Sequence, residues 1–343
     1  MSGRLLRLVC TAALVTQVAL VPAVAVGVPA PPERPIAELL TELQRLYRET
    51  ESATETYNAT EERLKAKQHE VARLDAELVR ARLALDGSRD LAGRLARQQY
   101  QSRSDISPYV RLLLAKDPQH ALDEGHIIGQ LARDRASATT RLAQDEHRRD
   151  TVTRGARTAL DAQLALTARK KKARDDVRTR LDAVQKLLAT LTPEQLARLA
   201  LLERAQVDGR QREFLTENAL DGADAPASPE GEQAVRYAMD QVGKPYETGA
   251  AGPRAYDNSG LAAGSWGHAG AQIPRTAKEQ WARLPRVPLR QLRPGDLVVY
   301  YPQATHVAVY VGKGKVVQAP GPGGKVRVTP VAADPVLGAV RPA

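Results

Sequence analysis

A row of apolar residues recurs at every seventh position from Ile36 to Leu85, and it limits the fold of this chain more than any other feature. Ile36, Leu43, Tyr57, Leu64, Val71, Leu78 and Leu85 hold the row, with Thr50 as its marginal member. Leu39, Leu46, Ala53, Leu74 and Ala81 supply a second, partial row. Glu, Arg and Lys fill the other faces. A seven-residue stripe stays on one side of a helix when that helix packs lengthwise against another, so the pattern predicts a coiled-coil seam. The repeat breaks across residues 102–125, where Pro108 and Pro118 would each interrupt a helix. A second arm then runs from about Gln119 to about Thr190, with Leu160, Leu164, Val177, Leu181, Val184, Leu188 and Leu191 as its expected seam. Arms of some 70 residues reach roughly 100 Å at 1.5 Å per residue. The expected object is an antiparallel coiled-coil hairpin. A parallel coiled coil between chains competes with it, and the spacing does not separate the two.

Composition agrees with long helices: aromatic residues are 4 % of the chain and Phe214 is its single Phe. Thr192-Pro193-Glu194 restarts a helix, with Thr192 as N-cap and Pro193 in the first turn, and that helix ends near Phe214. The stretch "DGADAPASPEGE" has no apolar period and reads as a linker. Beyond it the pattern changes to that of a compact α+β domain. Helices are expected at "EQAVRYAMDQVG" and from "DNSGLAAGSWGHAG", followed by a Pro-rich connection. Strands are expected at "DLVVYY", "HVAVYVG", "KVVQAP" and "KVRVTPV". The expected organisation is an export signal over 1–30, a helical hairpin over 31–216, a linker over 217–231 and the compact domain over 232–343.

The signal is read from Arg4 and Arg7, the uncharged run Leu8–Val21 and the small-x-small site Ala23-Val24-Ala25. Export makes nucleic acid an unsuitable partner for a chain of net charge +10 and points to anionic wall polymers instead. The one cysteine, Cys10, lies inside that signal. The mature protein is therefore expected to have no disulfide, no thiolate metal site, no thiol nucleophile and no integral membrane segment. His69, His120, His126, His147, His268 and His306 show no ligand-spaced pair in the compact domain, so no metal or other cofactor is expected. The run "RKKKAR" at 169–174 reads as a solvated helix face.

Five short pieces of the compact domain occur in a telling order: "QVGKPYETGAAGPRAYDNSGL", "IPRTAKEQW", "LRPGDLVVY", "HVAVYVGKGKVVQAP" and "GAVRP". Together they resemble the NlpC/p-sixty group of papain-like cell-wall cysteine peptidases, over nearly all of residues 232–341. The hairpin resembles the coiled-coil modules that precede such domains in secreted wall hydrolases. The resemblance implies a papain-like α+β fold and a Cys nucleophile in an Asp-Cys-Ser-Gly motif at the start of a buried helix. Carried onto this chain, it makes His306 the base and Gln318 the residue that orients it. Tyr246, Asp257 and Ser259 fall on positions that contact substrate. The nucleophile position is Asn258, and Thr248 stands where Trp is usual.

A carboxamide is not a nucleophile, and Ser259 points roughly 100° away from its neighbour around a helix. Asn258 reads locally as a residue that satisfies free N–H groups at a helix start, and it could meet His306 through a hydrogen bond. Trp266 and Trp281 read as core or cleft-wall residues. From Glu230 onward, 14 Lys and Arg face 8 Asp and Glu, a net of +6. The expected function is a secreted, wall-associated pseudoenzyme that binds peptidoglycan stem peptides or scaffolds wall remodelling. The alternatives are an active endopeptidase on D-glutamyl–diaminopimelate bonds, and a hairpin that docks an extracytoplasmic protein partner while the end domain is an inert cap.

Overall fold

The computed structural model describes residues 35–101, 110, 118–217, 219–223 and 225–342. The expected export signal and the turn around Pro108 lie outside the described residues. Residues 36–343 form one compact unit.

Helix α1 spans Ile36–Gln101 and helix α2 spans Pro118–Ala189. Cross-helix pairs fix their direction: Glu49 meets Arg180, Glu61 meets Lys170 and Arg89 meets Glu146. Partner numbers fall on α2 as they rise on α1, so the chain folds back on itself as an antiparallel hairpin. Leu46, Leu64, Ala81 and Leu85 of α1 are buried, as the repeat predicts. On α2 the seam differs from expectation. Leu160 and Leu164 are 46 % and 59 % exposed. The buried positions are Ala138, Val152, Ala159, Ala173, Val177 and Val184, which step along the helix in multiples of seven within each row. Small side chains let the helix backbones approach closely, so this seam runs beside the conspicuous leucines. The 169–174 run is only partly a solvated face: Lys170 reaches across to Glu61 and Ala173 is in the seam.

Helix α3, Pro193–Thr216, starts with the expected N-cap. Thr192 accepts from the Gln195 N–H, and the Gln195 side chain returns the bond to the Thr192 N–H. Leu199 of α3 packs with Leu39 and Leu40 of α1, which ties the root of the hairpin to this helix. The far end of α3 meets the end domain through Arg210, which donates to the Ala333 carbonyl, and Gln211, which accepts from the Ala332 N–H.

Helix α4, Pro229–Asp240, begins three residues before its expected start because Ser228 caps it and Pro229 sits in its first turn. Helix α5 is Asn258–His268. Helix α6, Ala277–Arg283, falls in the stretch read as a Pro-rich connection. Its signal was present: Thr276 accepts from the N–H of Glu279, the T-x-x-E spacing of a helix start. The strands are β1 (Arg286–Val287), β2 (Leu297–Tyr300), β3 (His306–Gly312), β4 (Lys315–Gln318), β5 (Arg327–Pro330) and β6 (Val336–Val340). They form one antiparallel sheet in the order β1-β6-β2-β3-β4-β5.

Both faces of the sheet are covered, which is why the central strands are apolar throughout. Leu297, Val299, Val307, Val309 and Val317 pack with Leu261, Ala262 and Trp266 of α5 and with Ala234 and Ala238 of α4. Val298, Tyr300, Ala308, Tyr310 and Val316 face the other way, where Phe214 and Leu220 cover them. Trp266 is fully inside, its indole N–H donating to the Gly295 carbonyl at 3.0 Å. Trp281 lines the edge of this core beneath the Arg286 guanidinium.

The start of α5 leaves no room at residue 260. A Cβ there would sit 2.2 Å from the Ala250 carbonyl oxygen and 2.8 Å from Asp257 Oδ1. Gly260→Ala is expected to destabilise the protein by about 3 kcal/mol, because backbone rather than a flexible side chain must yield. The midpoint of a urea unfolding curve measures this.

Candidate functional site

The site forms where α5 begins, at the near ends of β3 and β4. Asp257 is the N-cap of α5, its Oδ1 accepting from the Gly260 N–H at 2.6 Å. Capping thus falls to Asp257, with Asn258 the first helical residue, because Asp257 has the extended backbone of a cap (φ −90°, ψ 177°). Asp257 is fully buried and satisfied all round. Arg275 holds both its oxygens, at 3.0 and 2.7 Å, the Gly249 N–H donates to Oδ2 at 3.0 Å, and Asn58 Nδ2 donates to Oδ2 at 2.9 Å. The hydrogen-bonding positions of Asp257, expected to contact substrate, are thus taken by the protein's own groups.

Asn258 is buried at the helix start. Its Nδ2 donates to the Thr305 carbonyl at 3.4 Å, and its Oδ1 has no protein partner. The hydrogen bond that it could make to His306 is not formed. His306 opens β3 and is buried. Its Nε2 faces Gln318 Oε1 on the adjoining strand, and Gln318 Nε2 donates to Thr329 Oγ1 at 2.8 Å, which fixes the carboxamide with its oxygen toward the ring. Nδ1 lies 2.9 Å from Oε1 of Glu51, on helix α1. Tyr300, across the strand pair, meets the ring edge to face at 5.5 Å.

Both imidazole nitrogens therefore face oxygen acceptors, an arrangement that suits a ring carrying two N–H groups. Burial alone would lower the His306 pKa, but Glu51 outweighs it and holds the pKa up at about 9. Burial pushes the Glu51 carboxyl above its ordinary range, and His306 pulls it back only in part.

The remaining expected residues also meet α1. Ser259 Oγ donates to Glu55 Oε1 at 3.2 Å and accepts from Arg275 at 3.1 Å, so it is not turned to His306. Glu55 also accepts from the N–H groups of Ala277 and Lys278, at 3.2 and 3.4 Å, and burial raises its pKa to about 7. The Tyr246 hydroxyl is enclosed near Thr54 and Thr248 without a bond of hydrogen-bond geometry, and burial pushes its pKa up. Gly249, just past Thr248, lies against the Tyr57 ring. A Cβ there would be 3.0 Å from Tyr57 Cε1, and its φ of +81° is one that glycine alone adopts at little cost.

One face of α1 thus covers the whole site with Glu51, Thr54, Glu55 and Asn58, none of which sequence reasoning singled out. The signal was available. Thr50, Glu51, Thr54, Glu55 and Asn58 recur with helical period, all are buried, and they coincide with the lapse of the heptad row at Thr50. The fit is imperfect. Glu51 Oε2, Thr54 Oγ1 and Asn58 Oδ1 on the arm, and Tyr246 Oη and Asn258 Oδ1 in the cleft, are buried without a protein partner.

Residues 243–337 match the model of the NlpC/P60 family. A protein of Corynebacterium glutamicum named a probable endopeptidase is 41 % identical over 101 residues, covering 29 % of this chain and 48 % of that one. Peptidoglycan endopeptidase RipA of Mycobacterium tuberculosis is 36 % identical over 114 residues, covering 29 % of this chain and 24 % of RipA. Among solved structures, RipD of Mycobacterium tuberculosis, described as a non-catalytic NlpC/p60 domain protein adapted to peptidoglycan binding, is 27 % identical. That match covers 34 % of this chain and 98 % of RipD, with a TM-score of 0.30. The chain spans about half the length of the first curated relatives that it matches.

The arm contact has a definite pH dependence. His306 is raised above its ordinary 6.5, so its contribution is complete below pH 6.5 and is lost as pH rises through about 9. Glu55 is raised as well, to about 7 from 4.5, so its contribution is complete below pH 4.5 and is lost as pH rises through about 7. Going from pH 6 to pH 9 is expected to weaken the fold, with the His306 part alone worth about 3 kcal/mol. Hydrogen-exchange protection at residues 51–58, corrected for the intrinsic rise of exchange with pH, should fall over the same interval. Glu51→Gln should remove most of the change between pH 7 and pH 9.

Proposed function

From the premise that residues 243–337 form an NlpC/P60 domain, we propose that this chain binds peptidoglycan stem peptides at the cell wall without cutting them. The observation that carries the reading is residue 258. The resemblance requires a cysteine at the start of α5, and the chain's one cysteine is Cys10, in the stretch read as an export signal. A carboxamide cannot form an acyl intermediate. His306 keeps its Gln318 partner, but its Nδ1 is bonded to Glu51 and it has no acidic proton at residue 258 to accept. Ser259 is no substitute, because its hydroxyl is held by Glu55 and Arg275.

The net charge of +6 from Glu230 onward suits anionic wall polymers, over a range of about 8 Å at physiological salt. Among the described residues no helix is long and apolar enough to cross a membrane. The hairpin is the part suited to engaging an extracytoplasmic protein partner. The curated relatives are named endopeptidases, which favours a second reading, an active endopeptidase with a different nucleophile; the D-glutamyl–diaminopimelate link is the bond that the family resemblance implies for it.

Incubation with muropeptides, followed by chromatography of the products, separates the two readings. The unaltered protein is expected to release nothing, while sedimenting with insoluble peptidoglycan. Asn258→Cys combined with Glu51→Ala restores the sulfur and frees His306 Nδ1, and is expected to give measurable turnover, with Asn258→Cys alone slower. Turnover by the unaltered protein that disappears in His306→Ala overturns the reading.

A further inference from the structure

Helix α2 has a second face that neither the seam nor the end domain uses. At about 100° per residue, Arg157, Leu160, Leu164, Lys171, Arg174 and Arg178 fall within about 100° of arc. All six are exposed. The buried seam residues Ala159, Ala173 and Val177 lie roughly 100° round the helix from them. The face runs about 32 Å along the rod. Lys170 and Arg180, from the same turns, reach instead to Glu61 and Glu49 of α1. At that height the end domain is met by α1, through Glu51, Glu55 and Asn58, so α2 keeps this side open.

The chemistry of the face is that of a boundary between water and lipid. Leu160 and Leu164 stand one turn apart, 46 % and 59 % exposed. Arg157 precedes them, and Lys171, Arg174 and Arg178 follow. Asp161 and Asp175 border the face, and Asp175 holds Arg174 at 3.2 Å. Arg157, Lys171 and Arg178 make no ion pair among the described residues. Aliphatic side chains set between long cationic ones are the composition of a helix that lies in an interface, where the cations reach head groups and their stems cover apolar surface. Two other occupants fit less well. A third helix in a coiled coil needs the apolar row to continue, and after Leu164 the row gives way to Thr167, Lys171, Arg174 and Arg178. A hydrated wall polymer has use for the cations and none for the leucines.

We propose that this face of α2 rests on an anionic lipid bilayer, with Arg157, Lys171 and Arg178 on phosphate head groups and Leu160 and Leu164 set into the interface between them. The hairpin then lies along the membrane surface. No helix among the described residues is long and apolar enough to cross a membrane, so the contact is one of adsorption and not of spanning. It gives a use to the cations of the 169–174 run that α1 does not take. Nothing in it depends on what the cleft binds.

The test floats the full chain with vesicles of phosphatidylcholine alone and with vesicles of an equal mixture of phosphatidylcholine and phosphatidylglycerol, and mixes it separately with soluble polyphosphate. The parent is expected to bind the anionic vesicles at least about tenfold more tightly than the neutral ones, and more weakly as salt rises. Lys171→Glu with Arg178→Glu should weaken that binding about tenfold or more. Leu160→Ser with Leu164→Ser should weaken it about threefold or more while leaving any binding to polyphosphate unchanged. Leu164→Trp puts a reporter on the face: its emission should move to shorter wavelength on anionic vesicles and be quenched by lipids brominated along their acyl chains, while the emission of the parent, from Trp266 and Trp281, does neither. Every substituted side chain is exposed, and helix content by circular dichroism is expected to match the parent's throughout.

Failure of the parent to bind anionic vesicles, equal binding by the parent and either double variant, or a Leu164→Trp emission untouched by brominated lipid each overturns the proposal. Binding to polyphosphate with none to vesicles overturns it as well and gives the face to a wall polymer. None of these outcomes bears on stem-peptide binding, which is read at the cleft.

Discussion

The buried carboxylate of Asp257 is the interaction on which the rest of the end domain's geometry depends. It caps α5 through the Gly260 N–H, anchors the 246–249 turn through the Gly249 N–H, and ties down the segment before α6 through both nitrogens of the Arg275 guanidinium. Asn58 adds the arm to the same centre. A charge taken out of water is tolerated only when its lone pairs are met, and removing one partner of a buried pair leaves the other exposed to the full desolvation cost. Three segments of the end domain, and a fourth from the arm about 200 positions away, therefore have to arrive together. That requirement is independent of what stands at residue 258, which explains how the scaffold persists around an asparagine.

The same arrangement separates two roles that a papain-like site normally joins. The frame, consisting of Asp257, Arg275, Gly260 and the sheet beneath them, is complete. The reactive part is divided. His306 retains Gln318 on one nitrogen, while the other is turned to a carboxylate from a different part of the chain. Asn258 bonds to a backbone carbonyl. The charge beside His306 is thus met from α1, while the start of α5 holds the separate Asp257–Arg275 pair.

Much of the architecture was legible because it rests on repetition and on local rules. The heptad row of α1, the Thr192 cap of α3, the glycine-bounded strands β2 to β5 and the helix beginning after Asp257 all follow from spacing or cap chemistry. The α2 seam was found at Val177 and Val184 but missed at Ala138, Ala159 and Ala173, because alanine gives little signal in an apolar count, and Leu160 and Leu164 were wrongly included. Helix α6 was passed over because Pro274 and Pro285 dominate that stretch, while the Thr276 cap is a quieter cue. At the site, His306, Gln318 and Asn258 were named from motif order alone. The covering residues Glu51, Thr54, Glu55 and Asn58 were not. The lapse of the heptad row at Thr50 marks their polar stripe, but their burial results from a contact between segments about 200 positions apart, and the stripe does not say what it packs against.

The root of the hairpin has a mechanical consequence. Leu39 and Leu40 are clamped to Leu199 at one end of α1. At 1.5 Å per residue, Glu51 lies about 17 Å along the helix from that clamp and Gln101 about 92 Å. A stiff rod pinned there is a lever with arms in a ratio of about five to one. Lifting Glu51 by about 3 Å sweeps the far end through about 16 Å. A gentle sideways pull at the distal end therefore reaches the His306 contact multiplied in force.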